Sequence, residues 1–66
     1  MGDPFRNREV IFEFVSIGNL VKVSAVDTRT MTEVSIQGPA SSSEAMLKSG
    51  ALRKLEYVMR KKGLLD

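Results

Sequence analysis

The chain predicts an α+β fold: a three-stranded antiparallel meander followed by one C-terminal helix packed on one face, in the order β-β-β-α. Three observations predict it. Two β-rich runs, VIFEFVSI and LVKVSAV, flank Gly18-Asn19; a third, TEVSIQG, follows DTRTM; and beyond Gly38-Pro39 the apolar period changes from two residues to that of a helix.

A Gly-X pair between two alternating runs is the signal of a two-residue hairpin with a type II′ turn. Setting that turn at Gly18-Asn19 fixes the register. Phe14 then faces Val23, Phe12 faces Ala25 and Ser16 faces Val21, while Ile17 meets Leu20, Val15 meets Lys22 and Glu13 meets Ser24. Asp27 opens the next turn, since its carboxylate can accept a backbone N–H two residues on. A turn over Thr28 to Met31 sets Ala25 opposite Val34 and Val23 opposite Ile36. A slip of one residue would send every side chain to the other face, so a uniformly apolar face tests the register. Val10, Phe12, Phe14, Val21, Val23, Ala25, Val34 and Ile36 pass that test.

Gly38-Pro39 ends the sheet, because proline cannot donate to a ladder. Ser41-x-x-Glu44 has the spacing of a capping box, with Ser42 or Ser43 as other possible caps. Ala45, Leu47, Ala51, Leu52, Leu55, Val58 and Met59 then fall within about 160° of one helical face. Gly63 after Arg60-Lys61-Lys62 marks the stop. Residues 1–8 are polar, contain Gly2 and Pro4, and read as a flexible arm; residues 9–66 form a single domain.

Sixty-six residues allow one domain at most. A chain this small buries only about 60% of its extended surface, and such domains commonly rely on disulfides, a metal or a partner subunit. The sequence has no Cys and no His. Disulfides are excluded, the usual zinc, haem and iron–sulfur ligands are missing, and so are a histidine base and a cysteine nucleophile. No cofactor is expected. No apolar run is long enough to cross a membrane, and the N-terminal stretch lacks the apolar segment of a signal peptide, so a cytoplasmic setting is expected. The serines at 41–43 have no base to activate them, and capping accounts for them; the protein is expected not to be an enzyme.

Two surfaces are candidates for function. The outer sheet face carries Ile11, Val15, Ile17, Leu20 and Val26 among Glu13, Lys22, Ser24, Glu33, Ser35 and Gln37. A sheet face turned to water is normally more polar, which points to a contact surface and, through it, to a homodimer or another protein partner. The helix carries Lys48, Arg53, Lys54, Arg60, Lys61 and Lys62 against Glu44 and Glu56. Its plain reading is a solvated face with cations near the helix C-terminus, supported by Glu44–Lys48 and Glu56–Arg60 at i,i+4 spacing. The alternative is a nucleic-acid-binding accessory module using Arg53, Lys54, Tyr57, Arg60 and Lys61, with Tyr57 as a stacking surface.

The strings VKVSAVD, TEVSIQGPA and LRKLEYV, within residues 12–62, resemble a family of short alphaproteobacterial proteins of unknown function. That resemblance implies no activity and supplies no functional residue. The order of elements is also similar to the last three strands and helix of the double-stranded RNA-binding domain. There, the final helix opens with a lysine-rich turn that grips phosphates; here that turn is Ser42-Ser43-Glu44, and the family's first helix has no counterpart. The likeness implies shared architecture, and architecture alone does not transfer function.

Overall fold

The structure, a computed structural model, describes residues 3–65. Three strands, β1 (Val10–Ile17), β2 (Leu20–Asp27) and β3 (Thr32–Pro39), form one antiparallel sheet in the order β1-β2-β3, and α1 (Glu44–Lys61) follows and packs on it. The pairing is the expected one: Phe14 opposes Val23 and Ile17 opposes Leu20, Val23 in turn opposes Ile36, and Asp27 opposes Thr32 across the second turn. Gly18 takes φ 60° and Asn19 keeps a negative φ, the pattern of the II′ turn, whose twist matches that of the flanking strands. Pro39 is the last residue of β3, an edge strand, where a missing N–H is tolerated.

Val23, Ala25 and Val34 from the sheet meet Leu47, Ala51, Leu55 and Met59 from α1, all buried. The i,i+4 spacing of those four helical residues is the stripe that faces the sheet. Leu52 and Val58 flank it partly buried, whereas Ala45, expected in the stripe, is exposed. The helix lies chiefly over β2 and β3. As a result Phe12 and Phe14 on the inner face of β1 are only half-buried.

The helix begins one residue after Ser43, not Ser41. The Ser43 hydroxyl accepts from the Met46 N–H at 3.1 Å, the bond an N-cap makes to the third helical residue. Ser42 N–H donates to Pro39 C=O in the turn that leaves the sheet, so helical geometry cannot start as early as the Ser41 capping box requires. At the other end Leu64 N–H reaches Met59 C=O and Gly63 N–H reaches Arg60 C=O, a Schellman closure that seats Leu64 against the core.

Residues 3–8 do not stand off as an arm. Asp3 accepts from the Phe5 N–H through its carboxylate and from the Arg6 N–H through its carbonyl; Phe5 C=O then accepts from Arg8 N–H. Asn7, at φ 68°, holds the third position of that second turn, which favours Gly or Asn. The two turns deliver Phe5 into the core, where it is 7% exposed. Its burial outweighs the polar character of the surrounding residues. The expectation for residues 1–2 lies outside the described residues, as does Asp66.

Candidate functional site

The alternation of β1 sends Ile11, Val15 and Ile17 to the outer face, where Ile11 and Ile17 remain 53% and 52% exposed. Leu20, across the turn, is exposed beside Ile17, and Val26 is partly buried opposite Ile11. These five residues therefore cluster on the first hairpin, as their register requires. β1 is also an edge. Its odd residues turn their backbone groups toward β2, as the bond from Thr28 N–H to Glu9 C=O shows at the strand's base. In an antiparallel pair the backbone groups alternate sides, so Val10, Phe12, Phe14 and Ser16 aim N–H and C=O outward.

The basic residues of α1 share its outer side but are largely engaged within the molecule. Lys54 Nζ donates to Ser35 C=O at 2.9 Å, Arg60 Nε to Glu56 at 2.9 Å, and Lys61 Nζ lies 5.6 Å from the Tyr57 ring centre. Tyr57 is 61% exposed, with that cation over its ring. Arg53 is exposed. The Glu44–Lys48 pair does not form; Lys48 sits over the Phe12 ring instead, at 5.0 Å, covering part of what the helix leaves open.

At the far end of the sheet, Asp27 is fully buried and gathers three segments. Its Oδ2 accepts from Arg8 Nη1 at 3.1 Å, from Thr30 N–H at 3.0 Å and from the Thr30 hydroxyl at 2.7 Å. The backbone donor is thus three residues on rather than two. Arg8 Nη2 also donates to Leu64 C=O, tying the N-terminal turn to the tail of the helix. Burial opposes ionisation of Asp27, but the Thr30 donors and the Arg8 charge outweigh it and hold its carboxyl below the usual carboxylate range. Beside this junction lies a cleft of about 410 Å³ lined by Arg6, Arg8, Arg29 and Arg60, with Asp3 as its one carboxylate among the described residues. Reading the sequence missed it. Arg6, Arg8 and Arg29 follow no shared period, and the helical period places Arg60 only on the outer side of α1.

Among the described residues no cluster of His, Cys, Asp and Glu could hold a metal ion, and no helix is long and apolar enough to cross a membrane. The sequence matches a domain of unknown function, DUF6898, over residues 7–62. The chain belongs to the DUF6898 family. The match starts inside the N-terminal turn, before Arg8, and ends at the helix C-cap, Lys62, so the DUF6898 unit spans the whole β-β-β-α architecture together with Arg8, the partner of Asp27. No curated protein and no solved structure matches the chain.

Proposed function

We propose that this DUF6898 protein is a non-catalytic interaction module that works as a homodimer, joined along the open edge of β1. The observation that carries this reading is the coincidence on one strand of an edge unpaired among the described residues, exposed apolar side chains on the outer face, Ile11, Val15 and Ile17, and half-buried Phe12 and Phe14 on the inner face. An unprotected apolar edge is a template for a further strand, and natural sheets blunt such edges unless they are used. A two-fold contact is closed, because the same strand covers itself.

Charge selects the register. Keeping inner residues opposite inner residues, the pairings that engage most of β1 are centred on Phe12, Glu13, Phe14 or Val15, and centring on Val15 leaves Val10, Ile11 and Phe12 beyond the paired strand. Centring on Glu13 opposes two like charges, which is destabilising. Centring on Phe12 leaves Ile17 beyond the paired strand. Centring on Phe14 sets Ile11 opposite Ile17, Glu13 opposite Val15 and the two Phe14 side chains together, with the outward backbone groups of Phe14 exchanging both hydrogen bonds.

Sedimentation at tens of micromolar is expected to give a dimer. Ser16→Pro removes an outward N–H without touching the β1–β2 ladder and is expected to give a folded monomer. Val15→Lys separates edge pairing from face packing: opposite Glu13 of the mate it leaves an edge dimer intact or tightens it, whereas it disrupts a dimer packed through the outer face. A wild-type monomer that unfolds cooperatively, or a Ser16→Pro dimer, overturns the proposal. For the nucleic-acid alternative, RNA at physiological salt is expected to bind with Kd weaker than about 10⁻⁶ M and with steep salt dependence. Submicromolar binding that survives 0.2 M salt (about twice the ionic strength at which the Debye length is 10 Å) and is lost in Arg53→Glu reverses the ranking.

A further inference from the structure

We infer that the arginine cleft binds a small molecule carrying two or more linked phosphates. Four arginines from three separate parts of the chain line one concavity: Arg6 and Arg8 from the N-terminal turns, Arg29 from the β2–β3 turn and Arg60 from the end of α1. Asp27 balances Arg8 and Glu56 balances Arg60. Among the described residues neither Arg6 nor Arg29 has an ion-pair partner. Among the described residues Asp3 is the one further carboxylate lining the cleft, and gathering more cations than carboxylates around one concavity is unfavourable unless an anion joins them.

The segments that carry these arginines are held in place before any ligand arrives. Asp3 and the buried Phe5 fix the loop that carries Arg6; Asp27 fixes the turn that carries Arg29, whose Nη2 also approaches Asn7 C=O at 3.5 Å; Glu56 fixes Arg60. Preorganised donors lose little freedom on binding. The planar guanidinium fork matches phosphate oxygens in pairs, which distinguishes this cluster from the lysines on the outer helix. The cleft's volume lies in the range of small-molecule sites, roughly 300–1,000 Å³, and exceeds the needs of one phosphate. No aromatic side chain lines it, so recognition rests on the phosphates and not on a stacked base. The proposal does not rest on the dimer.

The test is calorimetric titration of the full chain with inorganic pyrophosphate and triphosphate, against phosphate and sulfate at equal ionic strength, repeated on Ser16→Pro. Pyrophosphate is expected to bind more tightly than sulfate in both proteins. Arg6→Ala and Arg29→Ala are each expected to weaken binding about tenfold, the effect of losing a charge-assisted hydrogen bond. Arg53→Ala and Lys62→Ala leave it unchanged. A structural role for Arg6 predicts a lower thermal midpoint for Arg6→Ala without ligand; a ligand-holding role predicts an equal or higher one. Pyrophosphate binding no tighter than sulfate, binding insensitive to Arg6→Ala, or a short RNA oligonucleotide binding more tightly than triphosphate overturns the inference.

Discussion

Asp27 is a buried carboxylate with three donors on one oxygen, while its Oδ1 has no hydrogen-bond partner among the described residues. Because its folded pKa is depressed, its ionised form stabilises the fold above the ordinary carboxylate value of about 4, and that contribution is lost as pH falls below about 4 through the folded value. Asp27→Asn is therefore expected to be less stable than wild type at neutral pH, with the gap closing in acid. Urea midpoints followed by circular dichroism between neutral pH and acid check this. Arg8→Ala strands the buried carboxylate and is expected to cost about 3 kcal/mol. Ser43→Ala removes the N-cap and is expected to cost about 1 kcal/mol, with Ser41→Ala close to neutral; equal denaturation midpoints for the two variants contradict the observed cap.

Among the elements, the first hairpin and the seam between β3 and α1 each depend on a glycine for a different reason. Gly18 needs a positive φ that a β-branched residue resists, so Gly18→Val is expected to destabilise by about 2 kcal/mol even though open space surrounds its Cα. Gly38 has ordinary backbone geometry, but a Cβ there meets Leu47 Cδ2 in the core. Gly38→Ala is therefore expected to cost about 1 kcal/mol through overpacking, less than Gly18→Val, because the Leu47 methyl can shift and the backbone at 18 cannot. Thermal unfolding of both variants orders them. The reverse order contradicts the hairpin geometry or the close approach of helix and sheet.

For the molecule as a whole, the N-terminal turns close one end of the core and the open β1 edge leaves one side of it half-covered. Phe5 joins the turns to a core built from the sheet and α1, and Arg8 joins them to Asp27 and to Leu64. Phe5→Ala is expected to lower stability by about 3 kcal/mol, the usual loss for a buried aromatic side chain. Removing residues 1–8 also deletes the Arg8 contacts and should lower stability further. A truncated protein with unchanged stability in urea unfolding contradicts the docking of this segment. The uncovered side has the opposite character. Phe12 and Phe14 are half-exposed because α1 lies over β2 and β3; in the proposed dimer a second copy at the β1 edge would give those rings further neighbours.

Periodic side-chain patterns made the sheet, its register, the II′ turn and the buried helical stripe legible in the sequence. Backbone geometry turns a two-residue alternation directly into faces, and Gly18-Asn19 supplies the one conformation that closes the hairpin. The outer-face cluster of exposed Ile11, Val15, Ile17 and Leu20 with partly buried Val26 was legible for the same reason. The half-covered β1, the cap at Ser43 and the docking of Phe5 were not. Each depends on where α1 sits across the sheet and on how two short turns are satisfied by the rest of the fold. The arginine cleft is the extreme case. Arg6, Arg8, Arg29 and Arg60 share no period, and only the closing of the N-terminal turns against Asp27 and the helix end brings their charges around one cavity.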